Sequence, residues 1–182
     1  SVFSLKQLVF NTNKSNPKIH YSNSIEINLN GIAVTDPSKP ELLDIFNKTT
    51  AQENTLFNIA PNDSQGMLSF TFNNYDVLKS NIEDYSEAAI DSTLQDDWIH
   101  SINEIGEIYL ENSSVYIAKS LDPITTKDGL LEHQDIASSF REVEIMHFNT
   151  PDFFSSLFNP LLSDLDTHFY TVLDDYFVFA NT

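Results

Sequence analysis

The chain has no cysteine, so neither a disulfide framework nor a cysteine-based zinc site is possible. Glycine is scarce, with four in 182 residues, and the glycine-rich loops that bind phosphate groups are missing. The Gly-x-Ser-x-Gly motif of a nucleophile elbow is also missing. No run of 18 apolar residues occurs, so the sequence predicts no membrane-spanning helix.

Basic residues are few: nine Lys and Arg stand against 27 Asp and Glu, for a formal net charge of −18. Such a surface repels phosphate backbones and anionic lipid headgroups, so the sequence predicts no nucleic-acid binding. The hydrophobic fraction of 41%, with 14 Phe and 7 Tyr, is enough to form a core. Length and composition together predict a single compact domain over residues 1–182.

Two stretches of the chain resemble each other. Residues 72–80 read FNNYDVLKS and residues 148–156 read FNTPDFFSS, and each stretch follows an alternating apolar run. Each is followed further on by a predicted pair of strands. We therefore predict an internal repeat, a β-α-β-β unit used twice, over about residues 67–120 and 140–182. The alternative is a chance resemblance between two capped helices.

Each stretch carries signals for the start of a helix. Asn74 and Thr150 have side-chain oxygens that can accept hydrogen bonds from free amides of a first helical turn. Asp76 and Asp152 follow two residues later, where a carboxylate faces the positive end of the helix dipole. The sequence therefore predicts helices that begin near residues 74 and 150.

The rest of the chain alternates between strand and helix patterns. Strands and hairpins are predicted at residues 5–10, 25–29, 108–118, 140–148 and 168–179. Short helices are predicted near residues 42–46 and 130–136, and another around Trp98 with Gly106 just beyond its end. The predicted fold class is α+β, a mainly antiparallel sheet with helices, built from the two repeated units plus an N-terminal β-rich portion.

Candidate metal ligands are Asp164, Asp166 and His168, which place two carboxylates and an imidazole within five residues. Ligands of this kind can bind a divalent cation. The pattern lacks the glycine and the distal glutamate of an EF-hand. The alternative is a solvated acidic loop, because such clusters arise easily among 27 carboxylates. The sequence predicts no catalytic set and no cofactor.

Aromatic residues crowd the C-terminal part of the chain. Tyr116, Tyr170 and Tyr176 are candidate ligand-binding residues if they lie exposed on a sheet face, where rings can bind a glycan or a peptide. The alternatives are that these rings form the core or pack against another part of a longer parent protein. Burial of all three tyrosines would remove the basis for ligand binding.

Four short segments carry a family resemblance: INLNG at 27–31, NIAPNDS at 58–64, IGEI at 105–108 and YFVFAN at 176–181. Over about residues 25–182 the chain resembles large exported proteins of unknown function from Bacteroidetes, related to a bacterial family of unknown function. The resemblance implies export to the cell envelope, as a periplasmic protein or an outer-membrane lipoprotein. It supplies no activity and no catalytic residue.

The chain begins at Ser1 without a methionine, shows no signal peptide and ends inside a strand-like run, so we expect a fragment of a longer protein from which any targeting segment has been removed. The main hypothesis is a non-enzymatic structural or interaction module, whose partner is the remainder of its parent polypeptide or another protein. The first alternative is a module that binds glycans or peptides through exposed aromatics. A hydrolase assembled from scattered Asp, Glu and His is the weaker alternative.

Overall fold

The computed structural model describes residues 4–12, 23–30, 40–90 and 97–182. The chain divides into two compact units, Ser1–Asp44 and Ile45–Thr182. The first unit contains β1 (Ser4–Thr12) and β2 (Asn23–Asn30), which pair antiparallel in a two-stranded sheet. Both strands lie where the alternating patterns predict them. A short 3₁₀ helix, Leu42–Phe46, follows.

The second unit is a seven-stranded sheet with helices. In chain order its elements are β3 (Gly66–Thr71), α1 (Tyr75–Ser86), β4 (Ile102–Tyr109), β5 (Ser114–Ser120), α2 (Pro123–Leu130), β6 (Gln134–Phe140), β7 (Val143–Phe148), α3 (Phe153–Phe158), β8 (Phe169–Leu173) and β9 (Tyr176–Ala180). All neighbouring strands pair antiparallel, in the order β3-β4-β5-β9-β8-β7-β6. This confirms the predicted α+β class with mainly antiparallel strands.

The two predicted helix starts have different outcomes. Asn74 caps α1 as predicted, because its Oδ1 accepts a hydrogen bond from the Val77 N–H at 3.1 Å. The prediction that Thr150 caps α3 is wrong, since that helix begins at Phe153 after a cap residue, Asp152, whose side chain makes no capping bond. The Phe153 N–H instead bonds to the Thr150 carbonyl at 3.1 Å, which closes a separate turn before the helix.

The first residues of the predicted helix around Trp98 lie outside the described part of the chain, which resumes at Asp97. A 3₁₀ helix, Asp97–Ser101, runs directly into β4, and Gly106 lies in the middle of that strand. The glycine therefore does not end a helix. A Cβ atom at this position would lie 2.4 Å from the Leu68 carbonyl oxygen on β3. Close approach of a neighbouring backbone is the other common reason for glycine inside an apolar pattern.

The segment before the second repeated stretch also differs from its prediction. The predicted short helix at 130–136 is present as a 3₁₀ helix, Leu131–His133, which directly follows α2. The sequence did not predict α2, which begins at Pro123 and is capped by Asp122. The predicted strand at 140–148 corresponds to β7, and a two-residue turn joins it to β6, a strand that the sequence did not predict. Both turn residues, Arg141 and Glu142, have positive φ angles. Such turns usually carry Asn, Asp or Gly, so the sequence shows no hairpin signal here.

The two faces of the seven-stranded sheet are covered differently. On the face that carries Ile105 and Phe177, here the helix face, α1 and α3 pack in one core cluster. Its largest fully buried rings are Phe72, Tyr75, Trp98, Tyr116, Phe148, Phe153, Phe154, Phe158, Phe177 and Phe179. On the opposite face, here the outer face, residues 49–60 lie over β4 and β5 with Leu56 buried against Ile117.

Tyr75 lies in this core with a hydroxyl that has no hydrogen-bond partner in the part of the chain that the structure describes. Its burial raises the pKa of Tyr75, and the Glu83 and Asp76 carboxylates raise it further, so the ring stays neutral. We expect Tyr75→Phe to leave the free energy of unfolding unchanged or to raise it by up to about 1 kcal/mol, because it removes an unpaired polar atom. Urea denaturation at pH 7 measures this change.

The control for Tyr75 is Tyr116→Phe. The Tyr116 hydroxyl is a bonded one, since it donates to the Ser163 carbonyl and accepts from the Leu165 N–H at 2.9 Å. We expect this second variant to lose about 1–2 kcal/mol. Equal losses for the two phenylalanine variants would contradict the assignment of an unpaired hydroxyl at Tyr75.

Candidate functional site

The three tyrosines predicted as ligand-binding residues are buried. Tyr116, Tyr170 and Tyr176 are 0%, 4% and 9% exposed. The Tyr170 hydroxyl donates to Gln134 Oε1, and the Tyr176 hydroxyl donates to Thr55 Oγ1 at 2.9 Å. Burial raises the pKa of Tyr170 to about 12, with a further contribution from Glu144. These rings are core residues, so the prediction that they form an exposed aromatic binding surface is wrong.

The predicted metal ligands do not form a cluster. Asp164 and Asp166 are exposed, and His168 is partly exposed beside β9, where its backbone N–H bonds to the Ala180 carbonyl. Thr167 between them is buried, and its N–H bonds to the Pro151 carbonyl at 2.8 Å. Across residues 40–90 and 97–182, no three His, Asp or Glu side chains are arranged to hold a metal ion.

A buried carboxylate that sequence reasoning missed lies on the outer face of β4. Glu104 is fully buried, and its oxygens accept from the Thr55 N–H at 2.9 Å and from the Leu56 N–H at 3.0 Å. The Thr55 and Ser69 hydroxyls donate to it at 2.9 and 2.8 Å. The two amides lie at the start of the 3₁₀ helix Leu56–Asn58, so the Glu104 side chain, which belongs to strand β4, caps this helix.

Lys119 lies directly opposite Glu104, across the pairing of β4 with β5. Its Nζ donates to Thr55 Oγ1 at 2.8 Å and lies 3.8 Å from Asp175 Oδ2. The Thr55 hydroxyl thus accepts from Lys119 and Tyr176 while it donates to Glu104. These hydrogen bonds hold residues 49–60 against strands β4, β5 and β9. The polar groups of the network therefore stabilise the fold.

A second buried carboxylate, Glu107, lies on the helix face of the same strand and is 1% exposed. It accepts from the Ser163 hydroxyl at 2.8 Å, from the Ser163 N–H at 3.3 Å and from the Tyr109 hydroxyl at 3.3 Å. Glu107 therefore holds the loop after α3 on the sheet. The available sequence signal was the position of both glutamates inside an apolar run, where a charge needs partners.

Within residues 45–90 and 97–182, no segment covers the outer face over β6, β7 and β8. The pairing of His147 with Phe169 and of Met146 with Tyr170 places alternate residues of these strands on that face. Its apolar side chains are Phe140, Val143, Ile145, Phe169 and Leu173, and the same registers place Asp135, Ser138, His147 and Thr171 on this face; these side chains are here called the open surface. None of them is buried, and Phe140 and Leu173 are 62% and 41% exposed. Apolar side chains that stay accessible in this way are typical of binding surfaces.

Two corresponding backbone hydrogen bonds, one in each half, allow the covered and the open halves of the outer face to be aligned residue by residue. The Phe72 N–H bonds to the Asn103 carbonyl at 3.0 Å, and the Phe148 N–H bonds to the His168 carbonyl at 2.7 Å. Counting along the strands from these bonds places Phe169 where the first half has Glu104. In the same way, Ile145 corresponds to Ser69 and Thr171 corresponds to Gly106. The half with polar side chains holds the covering segment 49–60, whereas no described residue of the second unit covers the apolar half.

A hollow of about 340 Å³ lies where β5 and β9 meet the β4–β5 hairpin. Its lining side chains are Leu110, Asn112, Ser113, Ser114, Val115, Leu165, Ala180, Asn181 and Thr182. None of these side chains is an acid, a base or a strong nucleophile at neutral pH. The hollow therefore brings no catalytic side chains together.

Comparisons with known proteins add no identification: no family model, no curated protein and no solved structure matches this chain. Among the described residues, no helix combines the length and the apolar character needed to cross a bilayer.

Proposed function

We propose that this chain is a non-enzymatic interaction module of an exported bacterial envelope protein, and that its open surface binds a protein segment. The observation that supports the proposal is the exposure of Phe140 and Leu173 beside the partly buried Val143, Ile145 and Phe169 on one sheet face. The buried carboxylates Glu104 and Glu107 hold loops on the sheet, so their polar groups have a role in the fold itself.

The two halves of the sheet support a second part of the proposal, namely that one duplicated unit built this fold. The segments β3-α1-β4-β5 and β7-α3-β8-β9 have the same strand order, and both helices belong to the core on the helix face. The last strands of the two units, β5 and β9, differ in the sheet face on which their alanine side chain lies. Ala118 is buried opposite Phe177, whereas Ala180 pairs with Val115 on the outer face, so the two alanines are not equivalent.

The envelope part of the proposal rests on the resemblance to exported proteins. Its test is cell fractionation with the whole gene carrying a C-terminal epitope tag. We expect the tagged protein in the envelope or periplasmic fraction, together with a periplasmic marker. Recovery with a cytoplasmic marker enzyme would refute the envelope assignment and leave the binding proposal to its own experiment.

Site-specific photocrosslinking in living cells tests the binding proposal. p-Benzoylphenylalanine replaces Leu173 or Phe140 in the full-length protein, and Leu68 is the matched control. Leu68 is a strand leucine of the same sheet with 43% exposure, against 41% for Leu173. We expect adducts of one and the same partner segment from both test positions, identified by peptide mass spectrometry, because a benzophenone crosslinks only what lies in contact.

The control position Leu68 shows whether crosslinking is specific to the open surface. We expect no adduct from Leu68, because this residue lies on β3 at the other edge of the sheet. Adducts of many unrelated proteins from all three positions would indicate non-specific binding and contradict the proposal. Absence of any adduct from Leu173 and Phe140 would also contradict it.

A further inference from the structure

The dimensions and charge of the open surface define the class of its partner. Building on the proposed function, we infer that the open surface binds an amphipathic α-helix of a different polypeptide, with Lys or Arg at the helix end that lies beside the two turns Arg141–Glu142 and Asp174–Asp175. The argument has three steps, which concern the width of the surface, its charge and its relation to the covered half.

The width of the open surface matches one helix. Strands β6, β7 and β8 are neighbours, and adjacent strands lie about 4.8 Å apart, so their outer pair is separated by roughly 10 Å. An α-helix with side chains has a diameter of about 10–12 Å. Strands of five to seven residues extend over about 17–23 Å, which corresponds to a helix of about 11–15 residues.

The charge at one end of the open surface indicates the charge of the partner segment. The β6–β7 turn and the β8–β9 turn lie at the same end of the open surface, and they carry Glu142, Asp174 and Asp175. Two cations lie at this end: the Arg141 guanidinium is 5.1 Å from the centre of the Phe140 ring, and Lys119 Nζ is 3.8 Å from Asp175 Oδ2. The three carboxylates outnumber these two cations. This end is therefore acidic, within a chain of net charge −18. A basic helix end is attracted here, whereas a second acidic copy of the chain is repelled.

The covered half of the sheet excludes one further occupant, a copy of residues 49–60 from another molecule. That segment is held by the Glu104 carboxylate, and its Leu56 side chain packs over Gly106, where any Cβ would lie 2.5 Å from Leu56 Cδ2. The equivalent positions on the open half are Phe169 and Thr171. They offer no carboxylate and no glycine, so the open surface needs a partner that binds through apolar contacts.

Binding of defined peptides to the purified 182-residue chain tests the inference. The probe is a fluorescein-labelled amphipathic helix of about 14 residues built from Leu and Lys. The matched peptide replaces every Lys by Glu. Fluorescence anisotropy gives Kd at low and at high NaCl concentration. We expect the Leu/Lys peptide to bind at least about tenfold more tightly than the Leu/Glu peptide, and this preference to shrink at high salt.

Paired variants locate the binding site. We expect Leu173→Ser to weaken binding of the Leu/Lys peptide by about fivefold, because about 1 kcal/mol of apolar contact is lost. The control Leu68→Ser is expected to leave Kd unchanged. The double variant Glu142→Gln with Asp174→Asn is expected to raise Kd by about threefold. Its control, Glu111→Gln with Asp63→Asn, removes two exposed carboxylates elsewhere and is expected to leave Kd unchanged.

Each other result counts against the inference. Equal affinity for both peptides would show that charge does not select the partner. Equal losses in Leu173→Ser and Leu68→Ser would show that the peptide binds elsewhere. A dimer of the purified chain that Leu173→Ser dissociates in sedimentation velocity would assign the surface to a second copy. In each case the photocrosslinking experiment in cells still decides the proposed function independently, because it uses no model peptide.

Discussion

Replacing Glu104 with alanine is expected to lower the free energy of unfolding by about 3 kcal/mol or more. The substitution removes an acceptor that satisfies two amides and two hydroxyls in a fully buried place. It also leaves Lys119, which lies opposite across the strands, without the nearby carboxylate. Urea denaturation followed by Trp98 fluorescence measures the loss.

Two further variants make this result specific. Glu104→Gln keeps the size of the side chain and one acceptor oxygen, so we expect a smaller loss of about 1–2 kcal/mol. Glu111→Ala removes an exposed carboxylate from a hairpin turn and is expected to change stability by less than about 0.5 kcal/mol. Hydrogen exchange of the Thr55 and Leu56 amides gives the local result. Unchanged protection of both amides in Glu104→Ala would overturn the assigned role.

Gly106→Ala is the second substitution with a large expected effect, a loss of about 2–4 kcal/mol. The new methyl group would lie 2.4 Å from the Leu68 carbonyl oxygen and 2.5 Å from Leu56 Cδ2. Because one of these atoms belongs to the backbone of the neighbouring strand, the clash cannot be relieved by a side-chain rotation alone. Thermal and urea unfolding measure the change in stability.

The matched control is Gly66→Ala, at the start of the neighbouring strand β3. The nearest atom to a Cβ there is Tyr109 Cδ2 at 3.6 Å, an ordinary van der Waals distance. We expect stability to stay the same or to rise by about 0.5 kcal/mol, because alanine restricts the unfolded chain. Similar losses for the two glycines would mean that the sheet, and not the packing of Leu56, disfavours alanine.

Elements that depend on neighbouring residues could be predicted from the sequence. The alternating run at 67–72 forms β3, Asn74 caps α1, and the segments on either side of Asp174 form a hairpin. Each of these features depends on side-chain periodicity or on hydrogen bonds between residues a few positions apart. Such interactions are readable along the chain, and they were sufficient to predict the α+β class and the mainly antiparallel sheet.

Features that depend on distant parts of the chain could not be predicted in this way. Glu104 is buried because Thr55, 49 positions away, supplies its donors, and Tyr176 is buried beneath the same segment, 121 positions from Thr55. The alternation of apolar and polar residues along a strand does not indicate which face of the strand another segment covers. The open surface exists because residues 49–60 cover only the half of the outer face that carries Glu104 and Gly106. That choice depends on contacts between strands and a loop that are separated in sequence, so only the folded chain reveals it.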